Sequence, residues 1–276
     1  MKKKTDSTKA AHTQRRRLKR DRALAALKAV SVEPLSNWRI HEKIAESLAI
    51  SILSGRQSPG SNLPAEVEAS AQLGVSRTVY REAVRILAAK GLIEGRPKLG
   101  TRVTEKHRWN WLDPDVLRWI FESQPDPEYV EELFELRLIV EPQAAALAAK
   151  RRSIEELARM GHALEEMARH GLNTPAGQAA DQQFHDAILK STRNRGLATL
   201  TTTIGAAIQW TTVFKYQGTP RDRNPIVEHR NLYAAIANAD SDAAREAARE
   251  LIEIALEDTR FVMKGAKKNS GKAKAG

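Results

Sequence analysis

The sequence predicts a mostly α protein in two parts, an N-terminal winged helix-turn-helix followed by an all-helical bundle. Three observations carry this. Apolar residues recur at helical spacing along most of the chain, and the period breaks to a short hairpin pattern near residue 97. Charge is also divided: residues 31–104 sum to +3 and residues 105–263 to −6. The overall +11 says less than it suggests, because residues 1–30 hold 11 Lys or Arg against 2 acids and residues 264–276 hold 5 Lys and no acid. At 276 residues two domains are expected. No run approaches the length of a membrane span, and no signal-peptide core follows the basic start. The absence of Cys excludes disulfides, thiolate catalysis and Cys-type zinc fingers, and it fits a cytoplasmic protein.

Residues 1–35 read as a basic, disordered tail, either solubilising or able to grip phosphates. Residues 36–104 read as the winged helix-turn-helix. From Trp38 to Leu53, Ile40, Ile44, Leu48 and Ile52 mark one helical face, and a loop with Gly55, Pro59 and Gly60 follows. A short helix over 65–73 and a Gly74-Val75 turn lead to Ser76, which can cap the next helix through its side-chain oxygen. That helix begins SRTVYRE, placing hydroxyl and guanidinium groups in the turns where a recognition helix meets base edges and phosphates. Val79, Ala83, Val84, Leu87 and Ala88 are expected to dock it, with Tyr80 packing. Residues 92–96 and 101–103 flank Pro97-Lys98-Leu99-Gly100 as a hairpin with a basic tip. Ser76, Arg77, Thr78 and Arg81, with Lys98, Gly100 and Thr101 at the wing, are the expected DNA-binding residues. Arginine can pair bidentately with guanine, whereas hydroxyls and wing amides more often position phosphate.

Residues 105–126 read as a linker and connecting helix. Asp113 can cap a helix with Pro114 at its first position, and Trp109, Trp111 and Trp119 are expected to pin the two domains together. Residues 127–263 read as an antiparallel helical domain for effector binding and dimerisation. Its helices are expected over 127–150, 153–170, 174–191, 194–215, 225–238 and 240–264, the last capped by Asp240. A basic, disordered tail is expected over 264–276.

Asp181 and His185 lie four apart, so they project from one helical face about a turn apart. His229 stands on a later helix. One carboxylate and two imidazoles converging in a bundle could hold a metal, with water or a ligand completing the shell; an Asp–His hydrogen bond is the simpler alternative.

The pattern LPAE…GVSRTVYREAVRILAAKGLIEGRPKLGTRV resembles the GntR family of bacterial transcription regulators. ELRLIVEPQAAALAA, DQQFHDAILKSTRNRGL and EHRNLYAAIANADSDAA resemble the all-helical ligand-binding domain of its FadR-type branch, and RWNWLDPDVLRW with LIVEP resembles the galactonate-utilisation repressor group. The match spans roughly residues 36–262. It implies a divalent metal, zinc, nickel or manganese, held by Asp181, His185 and His229. A fourth ligand is expected where this chain has Leu251, beside Glu250, so the resemblance is incomplete there. Val67 likewise stands where the family places an arginine after the Glu of LPxE. The resemblance further implies an organic or sugar acid effector, for which Arg137, Gln209, Trp210, Thr212 and Arg260 are the candidate binding residues. The alternative for Arg137 is an ion pair with Glu141 four residues on. The expected function is therefore a homodimeric repressor of sugar-acid catabolic genes, which binds operator DNA and is released by its effector. It is not expected to be an enzyme or to contact membranes. The alternatives are a metal-dependent hydrolase using the same Asp/His set and an architectural DNA-binding protein without ligand response.

Overall fold

The computed structural model describes residues 37–96, 100–123, 125–218, 220–221 and 223–273; the expectations for the N-terminal tail and for Lys98 lie outside this set. The chain divides into two compact units, Met1–Gln124 and Pro125–Gly276.

In the first unit, helix α1 (Asn37–Leu53) buries Ile44, Ala45, Leu48, Ala49 and Ile52. Helix α2 (Glu66–Leu73) stops at Gly74, whose φ of 66° is the left-handed turn that glycine enters without a side-chain penalty. Helix α3 (Arg77–Ala89) starts where the Ser76 side chain accepts from the Val79 amide at 3.3 Å. Its buried face is Tyr80, Ala83 and Leu87, while Val79 and Val84 are half-buried and Ala88 is exposed. The docking stripe is thus rotated from the expected one, because the large Tyr80 ring sits inward. Gly91 turns the chain into the hairpin at φ 74°, and a Cβ there would stand 2.1 Å from the Arg108 carbonyl oxygen. Strands β1 (Ile93–Arg96) and β2 (Gly100–Val103) pair antiparallel with Ile93 opposite Val103. The segment before α2 joins them: Leu63 donates to Thr101 at 2.8 Å and Val103 to Ser61 at 2.9 Å.

Helix α4 (Pro114–Glu122) is capped by Asp113, which accepts from the Asp115 and Val116 amides, and it packs on α1. Val116, Leu117, Trp119, Ile120 and Phe121 are buried, and the Trp109 indole donates to Thr104 Oγ1 at 3.0 Å. Lys90 clasps Asp113 at 2.6 Å and Asp115 at 2.8 Å, tying the end of α3 to α4. Trp109 and Trp119 are both buried, with the Lys90 ammonium 5.6 Å from the centre of the Trp119 ring.

The second unit is helical: α5 (Pro127–Arg151), α6 (Ile154–His170), α7 (Pro175–Ser191), α8 (Arg195–Thr199), α9 (Thr201–Gln217), α10 (Ile226–Ala237) and α11 (Ser241–Ala273). Helix α7 packs against α5, α6 and α9, and α11 lies along α5 and α10. Ala144, Met160, Met167, Phe184, Ile188, Ile208, Leu232, Ile236 and Leu251 are among the core residues. Two helices start on strong local signals. Ser153 and Glu156 form a reciprocal capping box at α6, and Asp240 accepts from the Asp242 and Ala243 amides at α11. The expected helix over 194–215 is split into α8 and α9 at Leu200. Helix α11 continues to Ala273 through residues read as a tail, with no proline to stop it.

Candidate functional site

Two sites emerge, one on each unit. On α3, Ser76, Arg77, Thr78 and Arg81 are solvent-facing, and Arg81 is 61 % exposed at 3.9 Å from Glu66. Gly100 is exposed at the wing with φ 82°, and Thr101 is half-buried on β2. Val67 is exposed on α2 at the position where arginine was expected. The wing root holds a group that sequence reasoning missed. Glu94 binds Arg96 and Arg102, each at 3.0 Å, and also Arg108. Arg108 chiefly, with Arg96, holds the Glu94 carboxyl down at about 2. The pairing of Glu94 with Arg102 across the hairpin becomes readable only once the register is known.

Inside the second unit, Asp181 and His185 of α7 meet His229 of α10, with ligand atoms all within 4.8 Å of one another. All three are buried. His229 Nε2 lies 3.1 Å from Asp181 Oδ1, and His185 Nε2 lies 3.7 Å from the same oxygen. Each ring is anchored on its outer side: His229 Nδ1 lies 2.7 Å from the Pro225 carbonyl and His185 Nδ1 lies 3.2 Å from Glu141 Oε2. With neutral imidazoles, those outer contacts require Nδ1–H, so both Nε2 lone pairs face the Asp181 carboxylate. Acceptor facing acceptor is unfavourable unless the rings take up protons or a cation stands between them. Two atoms each about 2.1 Å from one ion stand about 3.0–3.4 Å apart, close to the spacing seen here. The residues therefore fit a divalent ion, with Glu141 and Pro225 orienting the ligands from behind.

Arg137 points into this cluster, and the pairing weighed for it is present as well: its Nε donates to Glu141 Oε1 at 2.6 Å, and a terminal nitrogen lies 3.4 Å from Thr211 Oγ1. Its guanidinium also stands 4.9 Å from the centre of the Phe134 ring. Thr212 donates to Asp181 Oδ2 at 3.3 Å. Burial pushes the Asp181 carboxyl up, but the His229 hydrogen bond and the charges of His229, His185 and Lys215 hold it at about 2. Glu141 is likewise held at about 2, by Arg137 and His185 against burial. Lys215 was not singled out in the sequence; burial lowers its ammonium to about 8, although Asp181 and Asp258 favour the charge.

The structure does not gather every candidate. Trp210 lies two residues before Thr212, nearly opposite on α9, and is half-buried; Gln209, three residues before Thr212 and on a neighbouring part of its face, is half-buried too. Arg260 is corrected as well: it is exposed and pairs with Glu131 through Nε at 2.6 Å, because that face of α11 looks to solvent. Leu251 is buried core and Glu250 is exposed, so neither supplies a further ligand. Leu251, Glu141 and His185 help line an enclosed space of about 10 Å³, at the lower limit for one water. A more open cleft of about 330 Å³ is lined by Met167, Leu172, Asn173, Tyr216, Arg223 and Arg230, with Pro225 on its wall. No helix among the described residues is long and apolar enough to cross a membrane.

Two family models match: "Bacterial regulatory proteins, gntR family" over residues 40–103 and "FCD domain" over residues 132–254. The galactonate operon transcriptional repressor of Escherichia coli is 36 % identical over 214 residues, covering 76 % of this chain and 93 % of that protein. The Mycobacterium tuberculosis regulator Mce2R is 30 % identical over 242 residues, covering 82 % and 94 %. Among solved structures, Lar, described as controlling expression of the Listeria monocytogenes agr system, aligns with a TM-score of 0.59 at 16 % identity. That alignment covers 84 % of this chain and 100 % of Lar, and it shows the fold alone. With an exposed recognition helix in the first unit and a buried Asp/His cluster within the second, the chain belongs to the GntR family of bacterial regulatory proteins and carries an FCD domain.

Proposed function

We propose that this protein is a homodimeric repressor of sugar-acid catabolic genes, released from its operator by an acid bound in the helical unit. The observation that carries the reading is the buried Asp181–His185–His229 cluster with Arg137 beside it. A bundle stabilised only by packing has no need of so many desolvated polar groups in one place. The similarity to a galactonate operon repressor points to a sugar acid. On the DNA side, Arg77 and Arg81 read base edges, while Ser76, Thr78 and the wing residues Gly100 and Thr101 hold phosphates. Lys98, which falls between the two strands in sequence, joins that set, and two-fold symmetry brings two recognition helices to two half-sites.

Asp181, His185 and His229 hold the ion, which when bound supplies a Lewis-acidic centre for a carboxylate or hydroxyl oxygen. Thr212 positions Asp181, Glu141 positions His185 and Arg137, and Pro225 sets the ring orientation of His229. The enclosed space beside His185 is too small for a hexonate, whereas the cleft lined by Pro225, which orients His229, has room for one. Acid binding then shifts the population between DNA-competent and DNA-incompetent dimers.

The test uses a labelled duplex selected by the protein from a random pool. Fluorescence anisotropy with the metal-loaded chain is expected to show release as galactonate or related aldonates are added. Binding that stays the same with every acid tried would overturn the reading. The same Asp/His set on a hydrolase is disfavoured, because the gntR family model and the similarity to a transcriptional repressor point to a regulator.

A further inference from the structure

Glu94 on β1 stands opposite Arg102 on β2, and Arg96 lies two residues further along β1. Side chains alternate across a strand, so Glu94, Arg96, Gly100 and Arg102 belong to one face of the hairpin, and Ile93 and Val103 to the other. Ile93 and Val103 are buried, and β1 packs against the recognition helix α3. The Glu94 face is open to solvent at Arg96 and Gly100. From a short 3₁₀ turn after the hairpin (Lys106–Arg108), Arg108 brings another guanidinium to the same carboxylate. One Glu94 oxygen meets Arg96 and Arg102, and the other meets Arg108.

Glu94 alone cannot satisfy this group. Among the described residues none of the three arginines pairs with any other acid, so positive charge is left over where they meet. Donors are left over too, since three guanidinium forks offer more N–H groups than one carboxylate accepts. Arg102 Nε is buried with no acceptor among the described residues. Surplus charge and surplus forked donors in one place suit a further anion that accepts several hydrogen bonds, as a phosphodiester does. Arg108 and Arg96 are 51 % and 43 % exposed and can reach such an anion, whereas Arg102, at 29 %, is held between the strands.

We propose that the wing root is a clamp for the DNA backbone, in which Arg96 and Arg108 grip phosphate and Glu94 positions them. This rests on the operator-binding reading above and adds contacts outside the recognition helix and the wing tip. Glu94 also tempers the grip, because its charge stands beside the phosphate it helps to bind. Contacts of this kind carry no sequence information, so the clamp acts alike on every duplex.

The experiment is fluorescence anisotropy of the full chain on the selected duplex and on a scrambled duplex of the same composition, over a series of salt concentrations. Arg108→Gln and Arg96→Gln are each expected to weaken both duplexes by a similar factor. Each is also expected to reduce the slope of log affinity against log salt by about one. Lys106→Gln removes an equal charge from the same 3₁₀ turn outside the cluster, and is expected to change the slope far less. Glu94→Gln keeps an acceptor oxygen and loses only the charge, so it is expected to tighten both duplexes by about two- to fivefold. Glu94→Asp is expected to return affinity towards wild type. A slope for R108Q and R96Q equal to that of wild type, or a fall matched by K106Q, overturns the clamp. Weakening of the selected duplex alone would make the arginines base readers and overturn it as well. E94Q binding both duplexes more weakly than wild type overturns the tempering role of Glu94. The slopes can be read on the scrambled duplex, so the clamp is judged even if wild type prefers no sequence, an outcome that sinks the operator reading alone.

Discussion

Glu94 at the root of the wing and Glu141 in the helical unit both have a carboxyl held at about 2, by opposite means. Glu94 is half-buried at the hairpin, where the hydrogen bond from Arg108 outweighs a smaller cost of burial and Arg96 adds to the pull. Glu141 is buried, and Arg137 and His185 must first overcome the cost of removing its charge from water. The same contrast separates the two functional regions. Arg77, Thr78 and Arg81 wait in solvent, where charge is cheap and screened, ready for a polyanion. Asp181, His185, His229, Arg137 and Lys215 are desolvated, so each depends on its partners and on the ion and acid that complete the set. The first region is built for salt-dependent affinity, the second for ligand-dependent stability.

The largest expected effect breaks the buried side of this contrast. Asp181→Ala removes the carboxylate that Thr212 and His229 hold, and a loss of about 3–5 kcal/mol in stability is expected from breaking such a buried set. The expected observations are a much lower melting temperature and absence of co-purifying metal by elemental analysis. His229→Ala is expected to abolish metal retention with a smaller stability loss.

Next comes Arg77→Ala on the exposed side. Operator affinity should fall by about 1–3 kcal/mol, with stability changed by less than about 0.5 kcal/mol. Anisotropy and thermal melting on the same sample check both. A large melting shift would mean that α3 uses this arginine for folding.

A third effect compares the two acids directly through pH and salt. Both have folded values below the usual carboxylate range, so their contribution is present above pH of about 4.5 and lost as pH falls towards 2. Lys215 has the opposite placement. Its folded value of about 8 lies below the ordinary 10.5, so the unfolded chain binds more protons between these values and stability rises with pH across that window. Denaturation of metal-free protein from pH 7 to 10.5 should show that rise, and K215M should flatten it. Added salt should weaken the contribution of Glu94 far more than that of Glu141. Equal salt sensitivity of Glu94→Gln and Glu141→Gln would remove the distinction between the regions.

The smallest effect concerns Tyr80, whose buried hydroxyl has no hydrogen-bond partner among the described residues. Tyr80→Phe should be neutral or stabilising by up to about 1 kcal/mol and should leave operator affinity unchanged. A loss of DNA affinity would show that the hydroxyl reaches DNA.

Features written within one turn of helix or one tight turn were legible in the sequence. Ser76, Asp113 with Pro114, and Asp240 act as caps where their spacing said they should, and Asp181 and His185 share a face as an i, i+4 pair must. The ion pair of Arg137 with Glu141 was legible for the same reason, but not that Glu141 also braces His185. Lys215 escaped notice because a lysine between Phe214 and Tyr216 reads as a solvated residue on an otherwise mixed helix. Arg260 was misjudged because helical periodicity does not say which end of α11 faces solvent.

The sequence by itself determined the helices, their caps, the hairpin and the family, because each follows from propensities and patterns acting over a few residues. Tertiary structure alone decided that Asp181 meets His229 across 48 positions, that Arg137 meets Thr211 across 74, and that Trp109 and Trp119 are buried. Such meetings depend on how whole apolar faces fit together, and no local rule contains that information.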